Sequence, residues 1–302
     1  MTAFLNALSG KLAERWIALL AIPGLVYLVA LTTAVTLGQR HWQDAGRLRE
    51  RLDALAAAPG AHSAGVIVVV AVAVLAGAAL IGTGVQALGA LVEQVWLSGP
   101  RGPVTRWLTE RRLRRWRAAD HAYRTALVAA GRARLSGAAD SDALLNEAET
   151  RYACRNEVGL VAPRHPFWTG DRVTTPDRRV WRAYRLDLTA AWPHLWLLVP
   201  DSTRAELGVA RAALSAAARL TTWGLAYLLL AVWWWPAALI GLVTMATGAL
   251  RGRMAAASFA ELAEALVDLH GRDLAHTLGL ECEGPLTPAA GEEMTRLLSK
   301  PE

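Results

Sequence analysis

The chain has 302 residues, a formal net charge of +6, and a composition that is 54% apolar and 19% charged. The apolar residues are concentrated in three runs instead of being spread with amphipathic periodicity, which excludes an ordinary soluble fold over those runs. Cys154 and Cys282 are the only cysteines, too few and too far apart for a disulfide framework, and both fall in segments expected in a reducing compartment.

Residues Met1–Arg15 are mildly basic, with Lys11 and Arg15 just before Trp16. Ile17–Leu37 is the first apolar run. It exceeds the 7–15 residues of a signal-peptide core and no convincing A-x-A site follows, so it reads as an uncleaved anchor. In Gln39–Ser63, the residues Leu48, Leu52 and Leu55 share a helical face, which predicts a short helix on the outer membrane surface. Val66–Leu91 is the second run, about 39 Å if wholly helical. Its pairs Ala73/Gly77 and Ala78/Gly82 have the small-xxx-small spacing that permits close helix packing. Glu93 and Gln94 mark its inner end.

The most charged stretch comes next. Arg101, Arg106, Arg111, Arg112, Arg114, Arg115, Arg117, Arg124, Arg132 and Arg134 are opposed by Glu110 and Asp120 alone. Arginines right after a span stay cytoplasmic, so this segment and the N-terminus are placed inside. Arg106, Arg111, Arg112, Arg114 and Arg115, with Trp107 and Trp116, are the candidate lipid-headgroup contacts, each basic residue contributing about 1 kcal/mol at an anionic surface. Arginine with aromatics also suits nucleic acid, the less favoured partner here.

Residues 136–200 read as a small charge-balanced cytoplasmic region, with a helix over Asp140–Ala153. The aromatic loop Pro163–Arg172 and the W-P segment Ala191–Pro200 offer Phe167, Trp168, Asp171, Trp192 and Trp196 as candidate contacts to a protein partner. Thr203-x-x-Glu206 fits a capping box and opens a helix with Leu207, Ala210 and Leu214 inward.

Leu220–Leu250 is uncharged and broken once, at Trp233-Trp234-Trp235-Pro236. Wholly helical it would reach about 45 Å against a hydrocarbon core of about 30 Å. Arginines flank both ends, namely Arg211 and Arg219 before it, Arg251 and Arg253 after. The reading is a two-span hairpin with the tryptophans at the interface and Pro236 in the first turn of the second arm. One steeply tilted span and a re-entrant hairpin are the alternatives. Beyond it, Phe259, Leu262, Leu266 and Leu269 recur at helical spacing, which predicts a cytoplasmic stalk in which they meet Leu207 and Leu214. Thr287-Pro288 predicts the start of a last helix ending near Leu298.

The expected fold is therefore an all-α membrane protein with about four transmembrane helices and a mainly helical cytoplasmic domain. Its regions are a two-span region at 1–98, a basic juxtamembrane helix and small domain at 99–202, a stalk with a membrane hairpin at 203–278, and a cytoplasmic tail at 279–302. Glu93-Gln94-Val95-Trp96, Pro166–Asp171, Tyr184-Arg185-Leu186-Asp187 and Trp192-Pro193-His194-Leu195 with Val199-Pro200 follow one another in order. In this order they resemble E-G-Y-W, P-T-x-x-G-N, Y-G-x-D and W-P-R-L-x-x-x-L-P of a group of uncharacterised bacterial multipass membrane proteins. Gln94-Val95, Phe167 and His194 depart from the pattern. The resemblance implies the topology and a bacterial cytoplasmic membrane, but no activity.

The seven histidines show no H-E-x-x-H spacing, and no cysteine pair suits zinc. Asp273 and His276 stand at i, i+3, where a contact would be an ordinary surface pair. No P-loop, Rossmann glycine pattern or G-x-S-x-G elbow occurs. No cofactor or metal is expected, and an enzyme is unsupported. The leading function is an integral membrane scaffold or docking protein on the cytoplasmic side, with anionic lipid and a soluble protein as partners and room for a homo-oligomer. A channel, transporter component or pore-forming effector is the second reading, and a membrane enzyme on lipid or envelope precursors the third.

Overall fold

The computed structural model describes residues 21–57, 63–282 and 284–299. Lys11, Arg15 and the start of the first apolar run lie outside them. The described residues are all-helical, with no strand. The helices are α1 (Ile22–Leu37), α2 (Ala45–Ala56), α3 (Ala64–Leu97), α4 (Pro103–Ser136), α5 (Ser141–Val158), α6 (Trp168–Val173), α7 (Thr175–Tyr184), α8 (Leu188–Leu198), α9 (Asp201–Leu230), α10 (Pro236–Thr277) and α11 (Pro288–Leu298). They form two compact units, one of residues 1–92 with 215–250, the other of 93–214 with 251–302.

In the first unit α3 carries a narrow buried stripe at Ala78, Gly82, Val85 and Gly89, while 66–75 is exposed all round. Only 6% of its most apolar stretch is buried, unlike the core helix of a soluble domain. Two helices, α3 and α9, are long and apolar enough to cross a membrane by length and composition. The described part of α1 has 16 residues, and α10 reaches Arg251 about seven ångströms short of a full hydrocarbon core.

The uncharged run does break where the tryptophans predict. α9 ends at Leu230, residues 231–235 form a turn, and Pro236 starts α10. The two arms meet through glycines. A β-carbon on Gly224 would stand 2.6 Å from the Met245 nitrogen, and one on Gly241 2.8 Å from the Gly224 oxygen. Only glycine lets the backbones approach so closely, the packing that works between helices in lipid. Gln39 binds the turn from the end of α1. Its amide donates to the Ala231 and Val232 carbonyls at 2.7 and 2.9 Å and accepts from the Trp235 N–H at 3.1 Å. The Trp42 ring meets Trp235 edge-on at 4.8 Å.

The second unit pairs α4 with α5 as a helical hairpin whose buried positions are largely alanine, Ala130, Ala133 and Ala148. The arginine-rich stretch is thus one 34-residue helix. The core proper gathers Leu186, Leu195, Leu207, Leu266, Leu274 and Met294, drawn from five stretches of chain. Leu207, Ala210 and Leu214 are buried, as the inward face of α9 predicts. The helix nevertheless begins at Asp201, ahead of the capping box expected at Thr203. On α10 the deep face is Ala256, Ala260, Ala263, Leu266 and Val267; Phe259 and Leu262 flank it half-buried, and Leu269 is 74% exposed. Leu266 shares one core cluster with Leu207, as the stalk reading expects, and small residues fill the rest of this face. α11 starts as Thr287-Pro288 predicts, with the Thr287 hydroxyl accepting from the Ala290 N–H at 3.3 Å.

Candidate functional site

The polar centre of the second unit is Asp171, 4% exposed. The loop before it folds back so that the Arg164 and His165 backbone N–H groups donate to its Oδ1 at 2.8 and 2.9 Å. Arg112, on α4, brings its Nη1 to Oδ2 at 2.6 Å and also donates to the carbonyls of His165 and Val158. Gly170 is needed here, because a β-carbon would stand 2.5 Å from the Trp96 carbonyl oxygen. Burial raises the Asp171 carboxyl, but the bonds from His165, Arg164 and Arg112 outweigh it and hold the group below the usual aspartate range. An acid so satisfied holds a loop to a helix. It is not poised to take a proton.

Beside it, Arg172 is buried and reaches Glu261 at 2.9 Å and Glu264 at 3.9 Å, while Arg179 meets Glu264 at 3.0 Å. This network ties α6 and α7 to α10. Burial raises the Glu264 carboxyl in spite of Arg179 and Arg172. Glu93, at the start of this unit, pairs with Arg211 at 2.7 Å.

The lipid-contact candidates divide between solvent and fold. Arg106, Trp107, Arg111, Arg114 and Arg115 are exposed on α4. Arg112 turns inward to Asp171, and Trp116 donates from its indole nitrogen to the Gly159 carbonyl at 2.8 Å. Among the partner-contact candidates, Asp171 is buried, and Trp168 lies half-buried with the Arg253 guanidinium 4.9 Å above its ring. Phe167 is half-buried at the start of α6. Trp192 and Trp196 are half-buried neighbours on α8, with ring centres 6.1 Å apart. The Asp273 contact is with His270, at 3.2 Å; His276 receives the Arg272 Nε–H instead.

Trp192 also borders a groove that no sequence pattern reveals. A cavity of about 360 Å³ is lined by Val173, Pro176, Leu188, Trp192, Pro193 and Phe259, with Thr174, Asp177, Thr189 and Ala263 completing it. It is assembled from α6, α7, α8 and α10, whose residues are up to 90 positions apart. Asp177 is its one charged residue. Its carboxyl is raised by burial and by the nearby Asp187, against a smaller opposite pull from Arg178. Among the described residues no three metal-ligating side chains gather. No known protein family, curated protein or solved structure matches the chain.

Proposed function

We propose that this chain is a multi-pass membrane docking protein of the bacterial cytoplasmic membrane. α1, α3 and the two arms beside the tryptophan turn form four spans, with both termini inside. The unit of 93–214 and 251–302 works on the cytoplasmic side, where its groove receives a soluble protein. The topology is supported by the apolar surface of α3, exposed all round over 66–75, and by the arginines of α4. α1 and the second arm are short for spans, which local thinning of the bilayer accommodates. The exposed arginines Arg106, Arg111, Arg114 and Arg115, with Trp107, rest on anionic headgroups.

The observation that carries docking is the groove, an open apolar hollow whose wall helices α6 and α7 are tied to α10 by the Arg172–Glu261 and Arg179–Glu264 pairs. Transport finds less support. The buried polar side chains described in the first unit are Thr221 and Thr222, and each hydroxyl bonds a carbonyl of its own helix. The test is a photo-crosslinking residue at Thr189, on the groove, with Glu147 on α5 as control. One dominant soluble protein captured in living cells from position 189 and not from 147 supports docking. Ion flux through the purified protein in liposomes, with no such capture, contradicts it.

A further inference from the structure

The charged group of the groove is an acceptor, Asp177. Asp177 makes no ion pair or hydrogen bond among the described residues. The arginines next to it are turned elsewhere: Arg178 donates to the Ala162 carbonyl at 2.8 Å, and Arg179 pairs with Glu264 at 3.0 Å. The Thr174 hydroxyl spends its hydrogen on the Gly170 carbonyl at 3.0 Å, leaving lone pairs. Pro193 lies inside α8. It and Thr189 both line the groove. The Asp177 carboxylate and the Thr174 hydroxyl thus share the wall with Trp192 and Phe259. Such a wall calls for a ligand that brings hydrogen-bond donors and apolar surface together. Lysine and arginine side chains are donors only, and their cations are attracted by an indole face. At about 360 Å³ the hollow is near the lower end of the roughly 300–1,000 Å³ of ligand pockets, enough for one or two bulky side chains.

We infer that the groove takes a polypeptide segment in which a bulky apolar side chain stands beside an arginine or lysine. This names the partner chemistry of the docking reading and rests on it. An acidic or phosphorylated segment would meet Asp177 and Asp187 with like charge, and an anionic lipid headgroup would do the same.

The test uses the full chain in nanodiscs of neutral phosphatidylcholine, titrated calorimetrically with acetyl-Phe-Arg-Phe-amide. Binding above that to empty nanodiscs is expected, with none for acetyl-Phe-Glu-Phe-amide or acetyl-Gly-Arg-Gly-amide. Asp177→Asn removes one exposed charge and should weaken binding about fivefold, the size of an accessible ion pair. Thr189→Trp, a substitution at an exposed rim position, should abolish it. No binding to the parent, equal binding of the glutamate peptide, or undiminished binding by Asp177→Asn overturns the inference. Capture of a soluble protein from position 189 without tripeptide binding leaves docking standing and removes only the occupant's chemistry. Tripeptide binding without any capture does the reverse.

Discussion

The guanidinium of Arg112 meets the carboxylate of Asp171 at 2.6 Å across 59 residues of sequence, with both side chains largely buried. The pair locks the aromatic loop to the arginine-rich helix. Removing one partner leaves the other charge buried, which costs about 3–5 kcal/mol. Asp171→Asn and Arg112→Met should each lower the melting temperature of the purified protein strongly, whereas Arg111→Gln, at an exposed neighbour, should not. The folded-state pKa of Asp171 is lowered, so its contribution is complete above the ordinary aspartate value of about 4. It is lost as pH falls through the lowered value. The parent should therefore lose stability in acid, and the Asp171→Asn variant should lose less over the same range.

Gln39 fills three hydrogen-bonding positions of the tryptophan turn with one side chain. The turn is open to its surroundings, so the loss is moderate. Gln39→Leu should destabilise by about 1–2 kcal/mol. Gln39→Glu keeps the acceptor for Trp235 and gives up both donors, and should rank between the two in thermal unfolding.

The α10 seam predicts an inversion of what residue size suggests. Ala260→Leu, at a fully buried alanine, should destabilise by about 1–3 kcal/mol through overpacking. Leu269→Ser, at a residue 74% exposed, should stay within about 0.5 kcal/mol of the parent. The same unfolding measurement checks both.

The exposed arginines of α4 should hold anionic lipid through purification. Glutamine at Arg106, Arg111, Arg114 and Arg115 together should leave the fold intact and remove most salt-sensitive lipid phosphate, at about 1 kcal/mol per charge. Retained nucleic acid that disappears in the same variant would reassign this face.

What the sequence made legible follows from local rules. The helical break at Trp233–Pro236, the Thr287-Pro288 helix start and the inward face of Leu207, Ala210 and Leu214 all depend on neighbours within a few turns. The hub was half visible: Asp171 stood out beside a glycine, but its role depends on Arg112, which from sequence alone belonged with the lipid-facing arginines. The groove was not legible, because Asp177, Trp192 and Phe259 come from three helices and share no spacing. Leu269 misled because helical periodicity gives the direction of a face and not which of two adjacent stripes goes deeper.

The sidedness of the docking unit is the claim on which the rest depends, and Cys154 reads it without any substitution. Cys154 is exposed on α5, and Cys282 is buried. A membrane-impermeant maleimide should leave Cys154 unlabelled in spheroplasts and label it in inverted membrane vesicles. Labelling from the outside of intact spheroplasts would place the groove outside and contradict a cytoplasmic docking protein.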